Sequence, residues 1–269
     1  MVVIYQVRIS TTAHSKIKRT GFFILGIFLI IVLVQILSLV KNNPIVFPNV
    51  FEIFKALFNL LINKNTYEMI GWTLLRLLIS LIISLIIGVI IGIFEGINNN
   101  IRLILKPLMV ILRSLPMIVL VVIFMVLVSS KGWKNIPIIS TSILLIPLIS
   151  EAVAEGIKNM DKALIDVYKL NSNLRPFVIF KVHIPLILGY LKQAFVNAIG
   201  MGIKIIVTTE FIVSVAPSLG KGIFNAQYLN EFENIYAYAI IMVLLVLIIE
   251  YLPTFIINLI KYFKTCKKQ

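Results

Sequence analysis

The sequence predicts an all-α membrane protein with about six transmembrane helices, and three observations carry that reading. Of 269 residues, 60% are hydrophobic and 13% charged, against about 45–50% apolar and about 25% charged in a soluble domain. So few polar groups could not cover a globule of this size, which sets aside both a soluble enzyme and a disordered chain. The apolar residues also gather in runs near the ~20 residues that cross a hydrocarbon core. Finally, the 25 Lys and Arg outnumber the 11 Asp and Glu, for a formal charge of +14, and most lie between those runs. There they read as topology signals rather than as a nucleic-acid footprint.

Each element follows in order. Residues 1–20 form a basic segment with Arg8, Lys16, Lys18 and Arg19. The first span, 21–40, is interrupted only by Gln35 and Ser38, and it lacks a small-residue cleavage site, so it reads as an anchor rather than a secretory signal. Residues 49–63 place apolar side chains at helical spacing after Pro44 and Pro48. With Glu52 and Lys55 among them, they suit a helix lying in the interface. The second span, 77–94, is uncharged, with Arg76 read as an anchor at its outer interface, and 95–106 follows as a polar turn. The third, 107–128, has Arg113 near its start and Pro116 inside.

The fourth run, 136–149, is short. Its 14 residues rise about 21 Å, less than a ~30 Å core, so the helix must continue into the polar residues beyond or sit inside the bundle. The longest polar stretch, 151–185, comes next. A fifth span covers 187–213, a loop 214–234, and a sixth span 235–260, before a basic tail at 261–269. The membrane domain is therefore 21–260. Segments on the side of the termini hold 15 Lys and Arg, and the opposite loops hold 6. The positive-inside bias then puts both termini and the 151–185 loop in the cytoplasm.

That inner loop needs a reason. Ala163, Leu164, Val167 and Leu170 share one face, giving a short amphipathic helix over 162–170. Asn171-Ser172-Asn173 breaks it, and Pro176 and Pro185 bracket a second helical piece. A helix, a break and a helix on the inner face make a docking surface for a soluble partner.

In this loop the chain resembles the permease subunits of type I ATP-binding-cassette importers, in the sulfonate, taurine and nitrate branch. The family's loop reads E-A-A-x3-G-x9-I-x-L-P. Here Asp166 stands for the glutamate, Val167 and Tyr168 for the alanines and Ser172 for the glycine, ending in Val182-His183-Ile184-Pro185. Gly156 and Asp161 sit upstream at offsets typical of the branch. Phe47-Pro48-Asn49, Trp72-Thr73-Leu74-Leu75-Arg76, and Thr209-Glu210-Phe211 followed by Leu219-Gly220 extend the resemblance over roughly 44–260. Asp166 is a methylene shorter than glutamate, Tyr168 is bulky where the family is small, and Ser172 replaces a glycine. The resemblance implies a bacterial plasma-membrane location, a cytoplasmic ATPase partner docking on the loop, an extracytoplasmic solute-binding protein, and a second permease copy, most simply a homodimer. It further implies a small solute, with anions such as sulfonates, taurine or nitrate as its class.

No catalytic set, metal cluster or cofactor site is visible. Cys266 is the single cysteine, and His14 and His183 are far apart with no partner at ligand spacing. Gly220-Lys221 would need a glycine at position 215 to make a phosphate loop, and that residue is Val215. Any ATP site is therefore borrowed from another subunit. Three ionisable residues lie within spans, where they are costly and usually face the bundle interior: Lys204, Glu210 and Glu250. Each is a translocation-path candidate. Against that stand a capping or pairing role for Glu210, and structural ion pairs for Lys204 and Glu250. A gradient-driven secondary transporter or channel using these three is the alternative function. It calls for inverted repeats, which are not visible, and leaves the long inner loop without a purpose.

Overall fold

The computed structural model describes residues 22, 25–26, 28–29, 31–36, 38–40, 47–160 and 184–266, with the side chains of 184–186 and 250–266 left out. Among the described residues every regular element is helical. Four helices are long and apolar enough to cross a membrane, and a bent pair supplies a fifth if it counts as one span. The first span of the sequence reading, 21–40, falls partly outside the described residues, and those described in its second half are helical. The fold class is as the sequence predicts. The chain divides into two compact units, Met1–Ile62 with Ala226–Ala237, and Asn63–Asn225 with Tyr238–Gln269.

In the first unit, α1 (Val50–Ile62) forms where the sequence placed its short amphipathic helix. The Glu52 carboxylate accepts from the Asn49 backbone N–H at 2.9 Å, the return half of a capping box. Ser38 donates to the Phe47 carbonyl at 2.9 Å, tying the preceding helix to this start. Phe51, Phe54 and Phe58 form an exposed aromatic stripe. On an adjoining face Glu52, Lys55 and Asn59 line a cavity of about 600 Å³ together with Asn230, Glu231 and Glu233.

The second unit begins with α2 (Lys64–Ile97), capped by Asn63, whose side chain accepts from Asn65 N–H at 3.0 Å. This helix starts 13 residues before the uncharged run, so Trp72 to Arg76 lie within it. Next comes α3 (Asn99–Ser114), capped by the Asn98 side chain. The polar turn expected over 95–106 is therefore one residue long: Asn98 alone leaves the helical conformation, because its side chain satisfies the next helix's first free N–H groups. The expected third span is also corrected. It is divided between α3 and α4 (Met117–Leu127), which are bent by 98°. Pro116 explains the break: it has no N–H, and its ring drives Leu115 to the extended φ −64°, ψ 125°.

A short 3-10 turn (Ser130–Asn135) leads into α5 (Ile136–Lys158). The fourth helix thus runs nine residues past its apolar run, and much of its surface is buried. α6 (Ile184–Val213), α7 (Leu219–Tyr228) and α8 (Phe232–Cys266) complete the order. α5 packs against both α2 and α6. Along α2, Gly88, Gly92 and Gly96 recur once per turn and face Ile149, Ser150 with Val153, and Ile157. A Cβ at Gly92 would stand 2.5 Å from the Ser150 carbonyl. Such small-residue ridges let helices approach in a medium that supplies no hydrophobic drive between them.

Candidate functional site

Two places concentrate the chemistry. The first is a buried polar latch. Arg76, on α2, donates to the Glu210 carboxylate of α6 at 2.8 Å. Thr73, one turn before Arg76, donates to the other carboxylate oxygen at 2.8 Å. Arg76 also reaches the Pro217 carbonyl at 3.0 Å, and its guanidinium lies 5.7 Å from the Trp72 ring centroid. Glu210 is fully buried and Arg76 is 7% exposed. The charges thus neutralise each other where neither could stand alone.

The latch also holds the start of α7. The Leu219 N–H donates to Thr73 Oγ1 at 3.0 Å and the Gly220 N–H to Glu210 at 3.4 Å. Lys221 N–H donates to Ser218 Oγ at 3.0 Å, an N-terminal cap within the helix's own turn. A carboxylate at a helix N-terminus meets both its free donors and the positive end of its dipole. Gly220 is required for the fit, since a Cβ there would stand 2.4 Å from Phe211 N and 2.5 Å from the Val207 carbonyl. The Thr209-Glu210-Phe211 and Leu219-Gly220 segments, 10 residues apart, are therefore one site.

The second place is the base of the inner loop. Gly156 lies near the end of α5, and a Cβ on it would sit 3.1 Å from Ile187 and 3.2 Å from Tyr190 of α6. Asn159 donates to the Tyr190 hydroxyl at 3.3 Å. The two stems of the 161–183 segment are thereby clamped together. Asp161, Asp166, Val167, Tyr168 and Ser172 lie outside the described residues. Pro185 is the second residue of α6. The first eight residues of the 151–185 stretch belong to α5, so the segment between the stems is shorter than the polar run.

The remaining ionisable residues lie apart from both places. Lys204 is exposed on α6, has no ion-pair partner among the described residues, and its carbonyl accepts from Thr208 Oγ1 at 2.8 Å. Gly202 faces inward, against Leu77 of α2 and Leu145 of α5. Glu250 is part of α8, its side chain outside the described residues. Arg113 pairs with Glu151 of α5. Arg76, read from the sequence as an outer-interface anchor, is instead a buried latch residue. Its position one turn after Thr73 and the isolated acid at 210 were the signals available, but nothing in the sequence joined them.

A family model described as binding-protein-dependent transport system inner membrane component matches residues 84–261. No curated protein matches the chain.

Proposed function

Since the chain belongs to the family of binding-protein-dependent transport system inner membrane components, we propose that it is the permease subunit of an ATP-driven importer of the bacterial plasma membrane. In this reading both termini face the cytoplasm and two copies form the translocation path. Cytoplasmic ATP-binding-cassette subunits dock on the 161–183 segment, and an extracytoplasmic binding protein delivers the solute. The observation that carries it is the extent of the family match, which runs from α2 through the inner segment into α8.

The geometry supports a lever. α6 spans 30 residues, about 45 Å at 1.5 Å per residue. Its start is clamped to α5 at the loop base, and its far end carries Glu210 in the latch. ATP binding closes the ATPase pair and displaces the inner segment. The clamped stems carry that displacement into α6, and the latch passes it to α7. Hydrolysis and release reverse it. The chain supplies no catalyst; ATP is hydrolysed on the partner.

The residue roles in this reading rest on the sequence resemblance. Asp166 is the docking acid, with Val167, Tyr168 and Ser172 completing the docking motif. Gly156, Asp161 and Pro185 set the loop's stems. Lys204 lines the path, where its charge favours anionic solutes such as sulfonates, taurine or nitrate. Glu210 holds the start of α7 through the Gly220 N–H, with Arg76 balancing its charge. Glu250 is an ion-pair partner in the inner half of the last span. Asp166→Lys tests the docking assignment: co-purification with the ATPase should fall while membrane insertion stays normal. Parental association and transport by that variant would remove the assignment.

A further inference from the structure

α3 carries three basic residues and no acid over Asn99–Ser114. Arg102, Lys106 and Arg113 fall on one side of it and wall a cavity of about 110 Å³ with Glu95 of α2 and Glu151 of α5. Leu103, Ile104, Leu108 and Ile111 occupy the rest of its surface, each about half exposed or more. A helix divided this way sets its basic side apart from its lipid-suited side, and the 98° bend turns it off the course of α4. The uncharged run of α2 ends at Glu95, so the cavity sits at the edge of the hydrocarbon, at headgroup depth.

The groups in the cavity are not all matched. Arg113 is taken by Glu151. Arg102 and Lys106 have no ion-pair partner among the described residues. Glu95 is only 5% exposed; no donor hydrogen-bonds its carboxylate among the described residues, and the Arg102 and Arg113 charges act on it across the cavity. Its carboxylate is therefore free to accept from an occupant of the cavity.

Size and charge select the occupant. A water occupies about 30 Å³, so the space suits a tetrahedral oxyanion and a hydroxyl. It is far below the ~300–1,000 Å³ of drug-sized sites, and its place beside the exposed apolar face of α3 favours a headgroup whose acyl chains have that face to lie on. Three cations against two carboxylates leave room for one negative charge, and guanidinium and ammonium groups both bind phosphate well. We propose that this cavity holds the headgroup of one anionic phospholipid of the phosphatidylglycerol kind. Its phosphate lies on Arg102 and Lys106, its hydroxyls donate to Glu95, and its acyl chains run along the exposed apolar face of α3. Basic pockets between membrane helices are suited to such headgroups.

Native mass spectrometry of the full chain, released from micelles with defined lipid, reads the site directly. One phosphatidylglycerol should be retained, and phosphatidylcholine should be lost. Arg102→Gln with Lys106→Gln should weaken retention roughly thirtyfold, whereas Arg102→Lys with Lys106→Arg should keep it. Glu95→Leu should erase the preference for phosphatidylglycerol over phosphatidic acid, whose headgroup carries no glycerol hydroxyls. Equal retention of phosphatidylcholine, or parental retention by the double glutamine variant, would overturn the proposal. So would displacement of the lipid by millimolar inorganic phosphate, which would mark a free-anion site.

Discussion

Arg76 and Glu210 stand 134 residues apart in the chain, and each is tolerated in its place because of the other. Removing one partner leaves an uncompensated buried charge, at a cost of about 3–5 kcal/mol. Arg76→Met and Glu210→Met should therefore each lower the unfolding temperature of the purified chain sharply. The double variant should lose much less than the sum, because it removes both charges together. Additive losses in that cycle would show that the pair is not coupled. Both residues were visible in the sequence as charges at span borders, but which charge would meet which depends on how α2 and α6 pack. Sequence periodicity does not encode that, and Arg76 consequently read as a surface anchor. Lys204 makes the complementary case. Proposed to face the path between two copies, it is exposed in the single chain. Lys204→Met, nearly the same size and uncharged, should lower solute uptake in an assembled complex that still hydrolyses ATP. Unchanged uptake would return it to a packing role.

At the scale of elements, the α2–α5 contact is the part of the fold most exposed to single changes. Gly92→Leu places a side chain where a Cβ alone would stand 2.5 Å from the Ser150 carbonyl. The helices must then separate, and overpacking of this kind costs about 1–3 kcal/mol or more. Limited proteolysis of the inserted chain should show faster cleavage in Gly92→Leu than in Gly71→Leu, where nothing lies within 4 Å of the added Cβ. Equal rates would mean that the ridge is not a packing determinant. The helices themselves were largely legible. Uncharged runs located the spans, and helical rise required the 136–149 run either to extend or to sit inside the bundle; α5 extends through Lys158 and is largely buried. The bend between α3 and α4 was less so. Pro116 was visible inside an apolar run, but Pro107 and Pro147 lie within helices that continue. Whether a proline bends or ends a helix is decided by neighbours that supply or withhold hydrogen-bond partners.

The proposed mechanism couples the 161–183 segment through α6 to the latched start of α7. The orientation of the chain rests on charge bias and can be read at Cys266, its single thiol. A membrane-impermeant maleimide should label Cys266 in inverted vesicles and leave it untouched in intact cells; labelling of intact cells would reverse the topology. The central claim is that the chain is moved by a borrowed ATPase rather than by an ion gradient of its own. The most direct test is to purify the tagged chain from its native membrane, place it in liposomes, and follow ATP hydrolysis with and without the extracytoplasmic binding protein. The account predicts a stoichiometric ATPase partner whose hydrolysis rises when the loaded binding protein is added. Solute flux through the chain alone, driven by an ion gradient with no ATPase present, would contradict it.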